Sequence, residues 1–183
     1  MDDATTAATS TRILGIVAFL VAAAAIAGAW GFELIGGYIP CALCLEQRTP
    51  YYVALPVIAA SVLIARRRPS LARLGFLIGG TALLWSAGLG VYHAGAEWGF
   101  WAGPSDCAGQ DTMVRDASSL LQQLSAVRLV SCTEAAVRFL GLSFPGWNVI
   151  AAVSAAALAF AGAIGGGRGS PRRGHAAPLA ARH

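Results

Sequence analysis

A chain of 183 residues has room for one domain or two very small ones, and this one is 56% hydrophobic, 12% charged and +0.62 in mean hydropathy. Soluble domains are about a quarter charged, so the composition argues against an ordinary soluble protein and towards the bilayer. The net charge of +4 would suit nucleic acid, but the 13 arginines (there is no lysine) follow a topological pattern instead, and no nucleic-acid partner is expected.

In chain order, residues 1–12 form the N-terminal segment, of which Met1 to Thr11 is small and polar and reads as unstructured, with Thr9, Ser10 or Thr11 free to cap the first helix. The uncharged run Ile13 to Phe32 follows, with 20 residues, which matches the roughly 20 helical residues a bilayer core requires. It is too long for the apolar core of a signal peptide, Asp2 and Asp3 precede it, and it reads as a retained anchor. Three more uncharged runs are Thr49 to Ala65, Leu74 to Tyr92 and Leu142 to Ile164, with 17, 19 and 23 residues. Lipid offers no partner for a bare amide or carbonyl, so all four are predicted as helical spans. Pro145 suits the first turn of the last one.

Between the third and fourth runs, Val114, Ala117, Leu121, Leu124 and Arg128 share one helical stripe, with Arg115, Asp116, Gln122 and Gln123 largely opposite. This predicts a short amphipathic helix, lying either on a membrane surface or against the protein's own loop. Residues 165–183 are rich in Gly, Pro and Arg and read as a flexible tail. The expected fold is all-α: an integral membrane four-helix bundle, residues 13–164, with four transmembrane helices and a short amphipathic helix in the second outward loop.

Arg12, the link carrying Arg66, Arg67, Arg68 and Arg73, and the tail with Arg168, Arg172, Arg173 and Arg182 hold nine of the 13 arginines. The positive-inside rule makes that side cytoplasmic and puts both termini there. Segments 33–48 and 93–141 then face out, and they contain all four cysteines: Cys41, Cys44, Cys107 and Cys132. An even set of cysteines in an oxidising compartment points to disulfides.

The stretch "GYIPCALCLEQRTPYY", Gly37 to Tyr52, concentrates the chemistry. If the chain is helical from about Pro40, Cys41, Cys44 and Arg48 stack on one face at offsets of three and seven. A helix N-terminus and a nearby cation both lower a thiol pKa and favour the nucleophilic thiolate. Thr49-Pro50 could instead cap a separate helix and break that stack. Arg48 at the headgroup level can stay hydrated while donating to a carbonyl oxygen and stabilising charge on it. The arrangement reads as a dithiol handing electrons to a lipid-dissolved quinone. Zinc is the competing use of four cysteines, but Cys107 and Cys132 are not spaced as a second knuckle, and His93 is the one histidine outside the tail; no metal is expected. Structural disulfides are the other alternative, although a two-residue gap closes a tight, labile ring.

"CALCLEQR" resembles the C-x-L-C-x-x-Q-R signature of the disulfide bond formation protein B (DsbB) family, and "CTEAAVRFLGLSFPGWN" resembles that family's approach to its last helix. The resemblance covers about Ile13 to Ile164. It implies a four-span protein of the bacterial inner membrane that reoxidises a DsbA-like periplasmic thiol oxidase with a membrane quinone, ubiquinone or menaquinone. It further implies that Cys107 takes the mixed disulfide with the partner and that Cys132 passes electrons to Cys41. Cys44 would meet the quinone as a thiolate, and Arg48 would bind and polarise it. "YHAGAEWGFWAGPSDC", Tyr92 to Cys107, resembles only one branch of the family. There His93 or Glu97 could relay protons to the reduced quinone, or His93 could be a satisfied interfacial residue, with Trp98 and Trp101 in an interface belt. Two rivals remain: a vitamin K epoxide reductase-like enzyme, whose C-x-x-C usually lies on the last span, and a non-enzymatic tetraspan protein with stabilising disulfides.

Overall fold

A computed structural model of the chain describes residues 2–104, 128–129 and 133–165. Four helices dominate: α1 (Asp2–Leu34), α2 (Ala42–Ile64), α3 (Pro69–Glu97) and α4 (Phe144–Gly165). Two pairs of two-residue strands accompany them, β1 (Tyr38–Ile39) with β2 (Arg128–Leu129), and β3 (Arg138–Phe139) with β4 (Leu142–Ser143). The helices close into a ring in which α1 packs on α2, α2 on α3, α3 on α4, and α4 on α1.

Two expectations change here. Residues 2–12 are not an unstructured lead-in capped at Thr9 to Thr11, because α1 starts at Asp2. Alanines at 4, 7 and 8 are strong helix formers. Nor do Thr49 and Pro50 begin a separate helix, since α2 runs unbroken through Pro50 and Pro56. Pro50 is buried among neighbouring helices, and packing of this kind keeps a helix intact across a lost hydrogen bond.

Three segments, Thr9–Leu34, Pro69–Glu97 and Phe144–Gly165, are long and apolar enough to cross a membrane. α2 is less apolar because Glu46, Gln47, Arg48 and Thr49 occupy its first two turns. Large side chains such as Leu20, Leu63 and Trp85 point outward, while the centre is built from alanines including Ala18, Ala54, Ala155 and Ala159. That inversion suits lipid, where helices associate through close contacts of small residues rather than by escaping water. A Cβ at Gly79 would fall 2.6 Å from Ile58 Cγ1 on α2, and one at Gly90 would fall 2.8 Å from Val149 Cγ2 on α4. Gly90 thereby lets Asn148 reach the bundle interior.

The two ends of the bundle differ in chemistry. At one, Arg73 Nε donates to the Ala163 carbonyl at 2.9 Å, tying the start of α3 to the end of α4 beside Arg66, Arg67 and Arg68. The other end carries the cysteine pair and the strands. β1 and β2 are parallel, with Tyr38 opposite Arg128 and Ile39 opposite Leu129. Arg128, expected on the helical stripe, is therefore extended, and the remainder of the predicted amphipathic helix lies outside the described residues. β3 and β4 form a tight hairpin whose two turn residues, Leu140 and Gly141, have φ of 51° and 83°.

Replacing Gly79 with valine should cost about 1–3 kcal/mol by overpacking α2 against α3. Thermal unfolding in detergent should shift downwards accordingly, and an unchanged midpoint would contradict that close approach.

Candidate functional site

The unbroken start of α2 sets the geometry. Cys41 is the N-cap, in an extended conformation (φ −73°, ψ 169°), and its sulfur accepts from the Cys44 backbone N–H at 3.4 Å. The Cys44 thiol lies 3.1 Å from Cys41 Sγ, so the described pair is a hydrogen-bonded dithiol. One turn later comes Gln47, then Arg48, as the offsets of three and seven require.

The two sulfurs face different surroundings. Cys44 and Arg48 line a cavity of ≈ 370 Å³ between α1, α2 and α4, together with Gln47 and Tyr51. Aromatic rings form part of its lining: Phe32 and Phe144 lie 4.5 Å apart, and Tyr38 stands edge-on to Phe32 at 6.3 Å. Cys41 does not line this cavity. It sits 96% buried against α3, with His93 Nε2 at 3.9 Å from its sulfur. Glu97 Oε1 is 3.9 Å from the same nitrogen. His93 and Glu97 therefore stand behind Cys41, away from the cavity walls.

Charge divides unequally across the dithiol. The hydrogen bond between the two thiols is the largest influence lowering the Cys41 pKa; burial opposes it, and His93 and the Cys44 backbone N–H assist. Cys44 is pushed up, chiefly by that same hydrogen bond, then by burial and by the charge on Cys41, with Arg48 offsetting only weakly. The resemblance had implied a Cys44 thiolate. In this reduced pair the helix N-terminus and His93 both act on Cys41. Arg48 also does less for Cys44 than its spacing suggested. Its Nη1 forms an ion pair with Glu33 on α1, and its Nη2 donates to the Ala29 carbonyl at 3.4 Å.

A polar network that spacing did not reveal lies behind the pair. Tyr51 donates to Asn148 Oδ1 at 2.8 Å, Asn148 Nδ2 to Gln47 Oε1 at 2.9 Å, and Ser86 Oγ to the Gln47 carbonyl at 2.8 Å. Gln47 Nε2 reaches the Leu43 carbonyl at 3.1 Å and His93 Nδ1 at 2.9 Å. Gln47 belongs to the quoted signature, while Ser86 and Asn148 are polar residues inside uncharged runs; polar groups at membrane depth were the available signal. Glu33 is the last acid before the cysteine segment. Cys107 and Cys132 lie outside the described residues.

A buried dithiol with one sulfur on an apolar cavity, at the end of a helical membrane bundle, defines a membrane thiol redox protein. The model of the family described as disulfide bond formation protein DsbB matches residues 11–162, and the chain belongs to that family. It is 31% identical over 148 residues to disulfide bond formation protein B of Marinobacter nauticus, covering 78% of this chain and 84% of that one. It is also 27% identical over 141 residues to the uncharacterized protein RP370 of Rickettsia prowazekii, covering 76% and 80%. No solved structure matches. Family membership makes the chain a membrane oxidoreductase of disulfide bond formation.

The charge division can be read by alkylation of the reduced protein. At about pH 6, where an ordinary thiol near 8.5 is almost wholly protonated, Cys41 should react and Cys44 should not. Cys44→Ala removes the thiol–thiol hydrogen bond and should shift Cys41 reactivity towards alkaline pH. Preferential labelling of Cys44 would contradict the division.

Proposed function

We propose that this chain is a quinone-dependent protein disulfide oxidoreductase of the bacterial inner membrane. In this reading α2 is the fourth span, the cysteine end faces the periplasm and both termini are cytoplasmic. The observation that carries it is the split dithiol, with Cys44 on an apolar cavity and Cys41 outside it.

The residues present fit a quinone. The cavity volume lies in the small-molecule range of about 300–1,000 Å³, and its walls are aromatic and alanine-rich with one cationic donor. Of the five guanidinium N–H groups of Arg48, the contacts with Glu33 and Ala29 leave others for a carbonyl oxygen. A bound quinone supplies a sink for the two electrons and two protons that leave when the Cys41–Cys44 dithiol closes to a disulfide. The chain's own part is to present Cys44 in the cavity, keep Arg48 oriented through Glu33, and exclude water with Phe32, Tyr38 and Phe144. His93 and Glu97 act on Cys41 in this reading, not on the quinone ring.

Electrons enter through the second cysteine pair, with Cys107 exchanging with a DsbA-like periplasmic thiol oxidase and Cys132 passing them to Cys41. The pairing of β1 with β2 supports that order. Leu129 precedes Cys132 by three residues, a reach of roughly 10 Å, and its partner Ile39 precedes Cys41 by two. A zinc reading has one observation in its favour, the convergence of Cys41, Cys44 and His93 within 4.8 Å. Two thiolates on tetrahedral zinc stand about 3.8 Å apart, however, and these sulfurs are at 3.1 Å.

Purified protein, a quinone and a reduced DsbA-like partner should yield quinol, with no loss on adding a chelator. Cys44→Ala should abolish turnover. Arg48→Ala should raise the quinone KM about tenfold, the worth of one charged hydrogen bond, while thiol exchange with the partner changes less. Equal losses in both steps would count against the role of Arg48. Cys132→Ala should trap the partner on Cys107, and capture through Cys41 alone would reverse the proposed order.

A further inference from the structure

The hydrogen bonds around Gln47 run in one direction. A backbone carbonyl can only accept, so the Leu43 oxygen forces the Gln47 amide to turn its nitrogen that way. Its oxygen then meets Asn148 Nδ2, whose own orientation is held by Ser86 Oγ at 3.2 Å and by the Tyr51 hydroxyl on Asn148 Oδ1. The second Gln47 N–H points at His93 Nδ1. That nitrogen has to accept, which leaves the imidazole proton on Nε2, the atom facing Cys41 and Glu97.

We infer that Gln47 is a positioning residue that selects the Nε2–H form of His93 and so makes the imidazole a fixed hydrogen-bond donor to Cys41. Placing a proton on Nδ1 would set N–H against N–H. Relieving that clash by flipping Gln47 would lose the bonds to Leu43 and Asn148 as well as to His93. The charged and titratable groups around this point are Cys41 and Glu97, in direct contact with His93, with Cys44 and Arg48 beyond the sulfur and Arg138 beyond the carboxylate. The Nε2–H faces two acceptors, the Cys41 sulfur and Glu97 Oε1, each at 3.9 Å, and the sulfur is the one that takes part in thiol exchange. His93 then holds the thiolate ready for exchange without carrying its proton away. The value of that to catalysis rests on the redox reading of Cys41 and Cys44; the proton placement itself does not.

The test uses the full-length reduced protein in detergent with nitrogen-15 histidine, and needs neither quinone nor partner. His93 is the one histidine outside the C-terminal tail, so its signals are assignable by comparison with His93→Asn. Nδ1 should be the unprotonated nitrogen and Nε2 the protonated one. Gln47→Glu offers an acceptor in place of the donor and should move the proton to Nδ1, which leaves Cys41 without its Nε2–H donor and less readily alkylated. A protonated Nδ1 in the unsubstituted protein would overturn the inference, whether or not the protein reduces quinone. A Gln47→Glu variant that folds and keeps the Nε2–H form would overturn it too.

Discussion

The site depends on where α2 begins. With Cys41 as N-cap, one of the first free N–H groups of the helix, that of Cys44, bonds its sulfur, and the 3.6-residue turn then carries Cys44, Gln47 and Arg48 past it in fixed rotation. Moving that start by one residue would rotate Cys44 out of the cavity and Gln47 away from His93. Neighbouring elements brace this origin. β1 enters it from one side, α3 brings His93 behind it, and α4 supplies Asn148 at the closest approach permitted by Gly90.

Membrane burial explains why the polar residues are so thoroughly connected. In a low-dielectric interior an unsatisfied amide or hydroxyl is costly, so Gln47, Tyr51, Ser86 and Asn148 bond to one another across three helices. The same constraint pairs Arg48 with Glu33 rather than leaving a bare cation beside an apolar cavity. The ion pair narrows what Arg48 can do, because part of its charge is already answered, and its remaining value lies in oriented N–H groups.

Much of this was legible in the sequence, for physical reasons that differ by residue. The bundle followed from uncharged runs, and the cysteine stack followed from offsets along one helix. The length of α1 was missed because polar residues at 2–12 mask a good helix-forming composition, and the continuity of α2 because Pro50 reads locally as a break. Spacing along one helix also could not show that Arg48 faces Glu33, or that His93 faces Cys41 instead of the cavity. Those are contacts between helices, and a single sequence fixes the face of a helix more readily than its neighbour.

The central claim is that one sulfur meets the bilayer side and the other does not. Single-cysteine proteins retaining only Cys41 or only Cys44, with Cys107 and Cys132 removed, can be reconstituted in vesicles and challenged with a lipid-dissolved alkylating quinone. The account expects adducts at Cys44, suppressed by an inert quinone, and little reaction at Cys41. Equal modification of both sulfurs, or modification confined to Cys41, would contradict it.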